Sequence, residues 1–308
     1  MREKLIDEIS KKFEITQKEL IEKDIILHEI LTHLSQDSYF SKNFLFKGGT
    51  CLVKSYLGYV RFSEDLDFTW INQNIYQGKN PSAITKYLST ESEQLGRIFE
   101  EIARKFSLDF KFDKTNTRYF QYGSGGKMLT LYIWYNSEIL KEETMVKIQI
   151  NYVETILYPF ENKQLKSLAI GDKDLKFLFS DHSYFNEIQF AVYSPKEILC
   201  EKIRAILTRR GIKARDFLDL YLVCKKFEIN LSEIIDNAIQ KTKFAFDMYE
   251  RYRDNLKEKS KLLDSGNLFE WGEEKRLLLQ DVDDDDFNSF NNKLEKILKD
   301  PILKSITK

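Results

Sequence analysis

Two acidic residues two positions apart, Asp65 and Asp67, carry the clearest chemical signal in the chain. Residues 60–70 alternate like a β-strand, so Ser63, Asp65 and Asp67 share one face. The opposite face, which we predict to be buried, carries Phe62, Glu64, Leu66 and Phe68. Neighbouring carboxylates repel each other unless a cation lies between them, and hard oxygen ligands suit Mg²⁺ or Mn²⁺. The spacing therefore predicts a divalent metal site, although it is also compatible with a polar strand edge that faces solvent.

A glycine pair precedes this segment. Gly48 and Gly49 stand between Lys47 and Thr50, and Thr50 lies 15 residues before the first acid. Glycine lets a backbone approach a phosphate closely, and a helix that begins here presents free N–H groups. We predict that Thr50 caps a short helix over residues 51–57 and that Gly58 ends it. Alone, a glycine pair is more typical of a simple turn; beside the two acids it suggests a nucleotide phosphate site.

Positive charge is concentrated further along the chain, although the formal net charge of the whole protein is −1. Residues 196–226 contain nine Lys or Arg and four Asp or Glu, a local net charge of +5. We predict a helix with a capping box from Ser194 to Glu197 and an end at Gly211, then a second helix over residues 214–226. Four side chains here are candidates for contact with RNA phosphates: Arg209, Arg210, Lys213 and Arg215. The alternative is a solvated helix pair with an Arg215–Asp219 ion pair.

The composition is typical of a globular protein with a substantial core. The 308 residues are 42% hydrophobic and 31% charged. No stretch reaches the roughly 18 apolar residues of a membrane span, so we expect no membrane partner. Cys51, Cys200 and Cys224 lack the spacing of a zinc site and are interpreted as reduced thiols. Since the first residues also lack the pattern of a signal peptide, we expect a cytoplasmic location.

The order of the predicted elements indicates the α+β class. Helices are predicted over residues 1–38 and 82–106, and the chain is mainly helical from residue 194. Besides the segment with the two acids, strands are predicted in the apolar run 43–46 and at residues 108–112, 128–135 and 146–153, with a turn at 123–126. The acidic run 281–286 is predicted to be a solvated loop. The resulting domains are a sheet-containing core with N-terminal helices over residues 1–190 and a helical domain over residues 191–308.

Three blocks of the sequence together resemble the AbiEii/AbiGii toxin family, the nucleotidyltransferase-like group that includes the MenT-type toxins. The blocks are residues 46–50, residues 61–68, and the set Glu197, Lys202, Arg215, Asp216 and Asp219. The resemblance spans about residues 20–225. It implies a polymerase beta-like nucleotidyltransferase fold with a mixed sheet and a C-terminal helical region. It also implies the toxin of a bacterial toxin–antitoxin pair, with a cognate antitoxin as partner.

The resemblance assigns roles to single residues as well. Gly48, Gly49 and Thr50, preceded by Lys47, would hold the triphosphate of a nucleoside triphosphate, with Ser63 beside it. Asp65 and Asp67 would bind Mg²⁺ or Mn²⁺, while Lys202 matches an essential lysine and Asp216 an essential acid. The implied reaction transfers a nucleotidyl group to an RNA, with the tRNA 3′ end as the expected acceptor.

One position departs from the usual pattern of nucleotidyltransferases, which commonly place a third acid on a later core strand. The corresponding positions of the predicted strand 146–153 hold Gln149 and Asn151, and neutral amides are poor bases. Three alternatives follow: Asp216 supplies the catalytic base, Glu154 reaches the metal site in place of the third acid, or the activity is reduced. The sequence is therefore also compatible with a nucleotide- or partner-binding module without turnover. A third class of function is the transfer of a nucleotidyl group to a small molecule.

Overall fold

The chain divides into two compact units. The structure, a computed structural model, describes residues 2–76, 78–266 and 268–307. The first unit comprises Met1–Glu154 and Glu161–Val192, and the second comprises Thr155–Phe160 and Tyr193–Lys308. All strands of the sheet described below lie in the first unit.

The first unit is built on one mixed sheet of seven strands in the order β3-β4-β5-β2-β1-β7-β6. The strands are β1 (Phe44–Lys47), β2 (Asp65–Trp70), β3 (Phe120–Gly123), β4 (Met128–Asn136), β5 (Glu143–Asn151), β6 (Glu161–Leu165) and β7 (Ile188–Val192). The β2–β5 and β1–β7 pairs are parallel, and the other pairs are antiparallel. The α+β class and the mixed sheet that the sequence predicts are therefore confirmed.

The predicted strand at residues 108–112 is wrong. This segment forms one isolated bridge, Asp109 to Trp134, and no strand. Its apolar side chains Leu108 and Phe110 are nevertheless buried, because they pack into the core without joining the ladder. An apolar alternating run can fill a core from a loop as well as from a strand, so periodicity alone does not decide between the two.

Helices flank this sheet in the first unit. They are α1 (Arg2–Phe13), α2 (Lys18–Gln36), α3 (Ser38–Asn43), α4 (Gly48–Leu52), α5 (Pro81–Phe106) and α6 (Lys173–Leu178). Leu66 and Phe68, which alternate with the two acids of β2, are fully buried. The rings of Phe68 and Phe40 pack edge to face, with their centroids 4.9 Å apart. The apolar face of β2 is thus fixed in the core, and the alternation of the strand turns Asp65 and Asp67 the other way.

The second unit is helical, as predicted for the C-terminal region. Its helices are α7 (Pro195–Thr208), α8 (Ala214–Phe227), α9 (Ile235–Met248), α10 (Arg251–Ser265), α11 (Asp284–Ile297) and α12 (Lys304–Thr307). The predicted loop is correct for residues 281–283 of the acidic run, but residues 284–286 form the first turn of α11, which Asp283 caps by accepting a hydrogen bond from the Asp286 N–H. Carboxylates in a first helical turn are stabilised by the positive end of the helix dipole. In the described part of the chain, no helix is both long and apolar enough to cross a membrane.

The predicted start of α7 agrees with the structure, but its capping box and its C-terminal end differ. Ser194 does accept from the Glu197 N–H, but the Glu197 carboxylate accepts from the backbone of Leu157 and Tyr158 and from Lys241. The capping box is therefore only half formed, because the acid is used in a tertiary contact. The helix ends at Thr208, three residues before the predicted stop at Gly211.

The end of α7 is closed by side chains of α10. Asn255 Nδ2 donates to the Thr208 carbonyl at 2.7 Å, and Lys259 Nζ donates to the Gly211 carbonyl at 2.9 Å. Carbonyl groups at a helix end need such partners. The turn that carries Arg209 and Arg210 is consequently fixed by a third helix, a contact between segments far apart in sequence.

Candidate active site

The two acids of β2 lie at the centre of the sheet. Asp65 is opposite Lys147 of β5 in the register, and Asp67 lies between Lys47 of β1 and Gln149 of β5. Residues directly opposite each other on adjacent strands point to the same face of a sheet. The face with the acids therefore also carries two lysines and both amides noted in the sequence, since Asn151 lies opposite Thr69 on the same face.

The glycine pair packs against β2 and the segment before it, with Gly48 directly against Asp67. Gly48 has φ +80°, and a Cβ atom placed on it would lie 2.3 Å from Asp67 Oδ2. A Cβ atom on Gly49 would lie 2.7 Å from Arg61 Nη2 and 3.0 Å from Ser63 Oγ. Gly48 therefore needs to be glycine on two grounds, its positive φ and its contact with Asp67, whereas a side chain at Gly49 would displace the Arg61 guanidinium. Gly48 and Asp67 are thus neighbours in the fold.

Thr50 has a different role from the predicted helix cap. The helix α4 begins at Gly48, and a wider π-helical turn, Val53–Leu57, continues it until Gly58 with φ +80° ends it. Thr50 Oγ1 lies 2.5 Å from the Asp65 carbonyl oxygen and 2.9 Å from Ser63 Oγ. Its hydroxyl thus links the glycine helix to the start of β2, and Ser63 lies just before that strand.

A buried ion pair connects the π-helical turn that follows α4 to α2. Lys54 of the π-helical turn donates to Asp24 of α2 at 2.7 Å, and Tyr184 donates to the other Asp24 oxygen at 2.6 Å. Burial lowers the pKa of Lys54 against the opposing effect of Asp24. Separation of the pair would leave an uncompensated charge in the core. The pair therefore fixes the π-helical turn against α2. No sequence pattern indicates this contact, because its members are far apart in the chain.

Arg61 is a site residue whose role no sequence pattern indicates. It is 1% exposed, and its Nη1 donates to the Phe62 carbonyl at 2.7 Å. Its guanidinium supports the segment before β2 and faces Gly49. The available signal is its place within the recognised block 61–68, two residues before Ser63.

Glu154 is a further acid close to this sheet face, because it pairs with Lys47. It is buried, and its Oε2 lies 3.8 Å from Lys47 Nζ. Lys47 is the register partner of Asp67. The lysine therefore lies between the Glu154 carboxylate and the acids of β2. The position opposite Asp67 on β5 is occupied by the neutral Gln149, as expected from the sequence.

The donor set fits one mode of metal binding. Within residues 2–76, 78–266 and 268–307, no group of three or more His, Cys, Asp or Glu side chains is arranged to hold a metal ion. Mg²⁺ is, however, commonly bound by one or two carboxylates that share it with substrate phosphates and water. Asp65 and Asp67 are partly exposed on one sheet face beside the start of a helix. They match that shared mode, and they do not match a cage made of protein ligands alone.

Replacement of Gly48 by alanine is expected to disturb the site more than the same change at Gly58. Both residues have φ +80°, but a Cβ atom meets Asp67 only at Gly48 and meets nothing within 4 Å at Gly58. Gly58→Ala therefore carries the backbone cost of about 1–3 kcal/mol, and Gly48→Ala adds a steric cost of similar size. Thermal melts of the two variants give the difference. Equal melting temperatures would contradict the close contact with Asp67.

A second cluster lies within the helical unit. Lys202 Nζ of α7 lies 2.7 Å from Asp216 Oδ1 and 2.7 Å from Asp219 Oδ2 of α8. The side chains are 9%, 1% and 1% exposed in that order. The predicted contact between Lys202 and Asp216 is confirmed. The predicted alternative, an Arg215–Asp219 ion pair, is wrong, because Asp219 binds the lysine and Arg215 lies 3.6 Å from Glu274.

The charges around Asp216 favour its ionised form. Burial raises the pKa of this carboxyl group, but Lys202 and Arg209 outweigh that effect and hold the pKa below its usual value. Arg209 Nη1 binds the second oxygen, Oδ2. With both oxygens engaged and a low pKa, Asp216 is a poor proton acceptor and is better suited to hold Lys202 in place.

The four candidate RNA-binding residues lie in and beside the turn between α7 and α8. Arg209, Arg210 and Lys213 are exposed in the turn, and Arg215 is half-buried in the first turn of α8. Lys213 shares Glu274 with Arg215, at 3.7 Å. The structure thus brings the four together, although Lys213 and Arg215 lie near Glu274 and Arg209 is paired with Asp216.

The chain is similar to one family model and to solved structures. The model described as "Nucleotidyl transferase AbiEii toxin, Type IV TA system" matches residues 29–301. The crystal structure of JHP933 from Helicobacter pylori has 18% identity over 94% of both chains, with a TM-score of 0.44. A structure described as a candidate nucleotidyltransferase from H. pylori has 17% identity over 94% of this chain and 96% of that chain, with a TM-score of 0.45. No curated protein matches the chain.

Proposed function

The chain belongs to the AbiEii nucleotidyl transferase toxin family of type IV toxin–antitoxin systems, and on this premise we propose that it is a metal-dependent nucleotidyltransferase acting on RNA. It takes a nucleotidyl group from a nucleoside triphosphate and transfers it to an RNA 3′ end, with tRNA as the acceptor. It acts in the cytoplasm and is paired with a cognate antitoxin. The mixed sheet, with the glycine-led helix between β1 and β2, supports a polymerase beta-like nucleotidyltransferase fold.

One observation carries this proposal: the contact between Gly48 and Asp67. The position of a Gly48 Cβ atom is 2.3 Å from the Asp67 carboxylate, so the first turn of α4 and the acids of β2 face the same small volume. The first N–H groups of a helix have no partner within the helix and favour anions. A triphosphate can therefore meet backbone donors on one side and carboxylates on the other, a combination that requires a bridging cation.

The residues of this unit bind and orient the substrate. A bound Mg²⁺ or Mn²⁺ would neutralise the charge that develops on the phosphates as pyrophosphate leaves. Asp65 and Asp67 hold that cation, and the N–H groups around Gly49 and Thr50 bind the triphosphate. Ser63, held 2.9 Å from Thr50, presents a hydroxyl group beside them.

The cluster of the helical unit has a separate role in the proposal. Lys202 supplies positive charge to phosphate groups, and Asp216 and Asp219 hold its ammonium group. The turn with Arg209, Arg210, Lys213 and Arg215 binds the backbone phosphates of the RNA. Because both carboxylate oxygens of Asp216 are engaged, Glu154 is the better candidate to accept the proton of the attacking hydroxyl group.

Transfer of label from nucleotides to RNA tests the function. The purified protein is incubated with each α-³²P-labelled nucleoside triphosphate and total tRNA, and the RNA is separated on a gel. We expect label on tRNA with Mg²⁺ or Mn²⁺, no label in EDTA, and recovery when the metal is restored. Full transfer in EDTA would contradict the metal site. Nucleotide binding without transfer to any RNA would favour the alternative, a non-catalytic binding module.

A further inference from the structure

Lys147 of β5 forms an ion pair with Asp65, so a metal ion bound to Asp65 would compete with Lys147 for this carboxylate. The two residues are register partners on parallel strands. Lys147 Nζ lies 3.3 Å from Asp65 Oδ2, and the side chains are 31% and 25% exposed. The ion pair therefore lies on the open part of the sheet face, on the carboxylate that the proposed function assigns to the metal.

Other cations near the acids are held more firmly. Lys47 is buried against Glu154, and Arg61 is buried and donates to the Phe62 carbonyl. Lys147 differs from both because about a third of its side chain is exposed, on a flexible stem with a compact charge and three donors. Its ammonium group can leave Asp65 without breaking a packed core.

We propose that Lys147 is a movable counter-ion that couples metal binding to nucleotide binding, an inference that rests on the proposed function. Without substrate it neutralises Asp65 and repels a divalent cation. When metal and nucleoside triphosphate bind together, the cation takes Asp65 and the Lys147 ammonium group turns to a phosphate oxygen. Binding of either partner is then favoured by the other, since coupling between two ligands is reciprocal.

The charges at Asp65 determine which complex Lys147 favours. A divalent cation and an ammonium group cannot occupy the same carboxylate oxygen, so metal binding alone leaves Lys147 without its partner and close to a like charge. A triphosphate reverses this situation, because its oxygens offer a new anionic partner within the same small volume. Lys147 therefore disfavours the metal-only complex and favours the complete one.

Mn²⁺ binding, measured by electron paramagnetic resonance, tests the proposal apart from activity. We compare wild type with Lys147→Met, with and without a non-hydrolysable α,β-methylene triphosphate analogue. Lys147→Met is expected to bind Mn²⁺ alone about two- to fivefold more tightly, because an exposed ion pair contributes up to about a factor of five. With Mn²⁺ present, it is expected to bind the analogue about tenfold more weakly. Lys147→Arg keeps the charge and should retain the weak binding of Mn²⁺ alone.

Lys23→Met is the matched control. Lys23 forms a similar half-exposed ion pair, 2.9 Å from Glu64, which precedes Asp65 in the chain. This variant should leave both affinities unchanged. Unaltered affinities in Lys147→Met, or equal changes in both variants, would overturn the role of Lys147. Loss of Mn²⁺ binding in Asp67→Asn reports separately on the proposed metal site, so failure of that site and failure of Lys147 give different results.

Discussion

Asp65→Asn and Asp67→Asn are each expected to reduce nucleotide transfer by about a thousandfold or more while the protein stays folded. Asparagine keeps the shape of the side chain and removes the charge that holds the cation. Stability should remain near that of wild type, because both side chains are partly exposed and their mutual repulsion is relieved. Transfer of label to tRNA measures the first effect, and thermal melts measure the second. Growth arrest on expression should disappear in parallel.

Glu64→Gln serves as the control for this prediction. Glu64 lies next to Asp65 in the chain but binds Lys23 of α2 at 2.9 Å. The change also replaces one carboxylate by an amide within the same segment, and transfer should stay within a few-fold of wild type. If Asp65→Asn still transfers nucleotides and arrests growth at equal expression, the metal site on β2 is wrong.

Lys202→Met is expected to impair both stability and transfer. The change leaves two carboxylates, each 1% exposed, without the ammonium group that lies 2.7 Å from both. Removal of one partner from a buried ion pair costs about 3–5 kcal/mol. Lys196→Met on the same helix is the matched control, because Lys196 forms an exposed pair with Glu233 at 2.9 Å. Urea unfolding should show a large loss for the first variant and about 0–1 kcal/mol for the second.

Stability and activity can be separated at this cluster. A triple variant, Lys202→Met with Asp216→Asn and Asp219→Asn, removes the uncompensated charges and should regain much of the lost stability. It should not regain transfer, and neither should Lys202→Arg, because a planar guanidinium group fits poorly where a compact charge binds two carboxylates. Wild-type transfer in the folded triple variant would show that Lys202 is purely structural.

The pH dependence of stability gives a further check on the cluster. The folded-state pKa of Asp216 is below its usual value, so its contribution to stability is present above pH about 4 and is lost as the pH falls through the folded pKa. In Lys202→Met the pKa of Asp216 should rise, so acidification should narrow the stability gap to wild type. A gap that stays constant from pH 7 to pH 4 would contradict a charge-based role.

The sequence correctly predicts those parts of the structure that depend on residues close together in the chain. The alternation around Asp65 and Asp67 predicts their shared face, because Leu66 and Phe68 need the core. The predicted second helix agrees within a residue with the observed bounds, Ala214–Phe227. In both cases side-chain period and burial lead to the same structure.

Contacts between distant segments account for what the sequence does not predict. Gly211 does not end α7, because Asn255 and Lys259 of α10 bind the carbonyls at that end. Thr50 does not cap its helix, because its hydroxyl binds Asp65 and Ser63. A capping signal describes which bond a side chain can make, and the folded chain offers these side chains other partners. Only the tertiary structure shows which partner is used.

The outer strand β6 has a consequence for self-association. It forms one edge of the sheet, and its sequence is Glu161, Asn162, Lys163, Gln164 and Leu165. Charged and polar side chains on a short edge strand disfavour pairing with a strand of another molecule. The opposite edge, β3, has four residues and ends at Gly123. Both edges are therefore poor templates for intermolecular strand addition, which opposes growth of the sheet into aggregates when many copies of the chain are present.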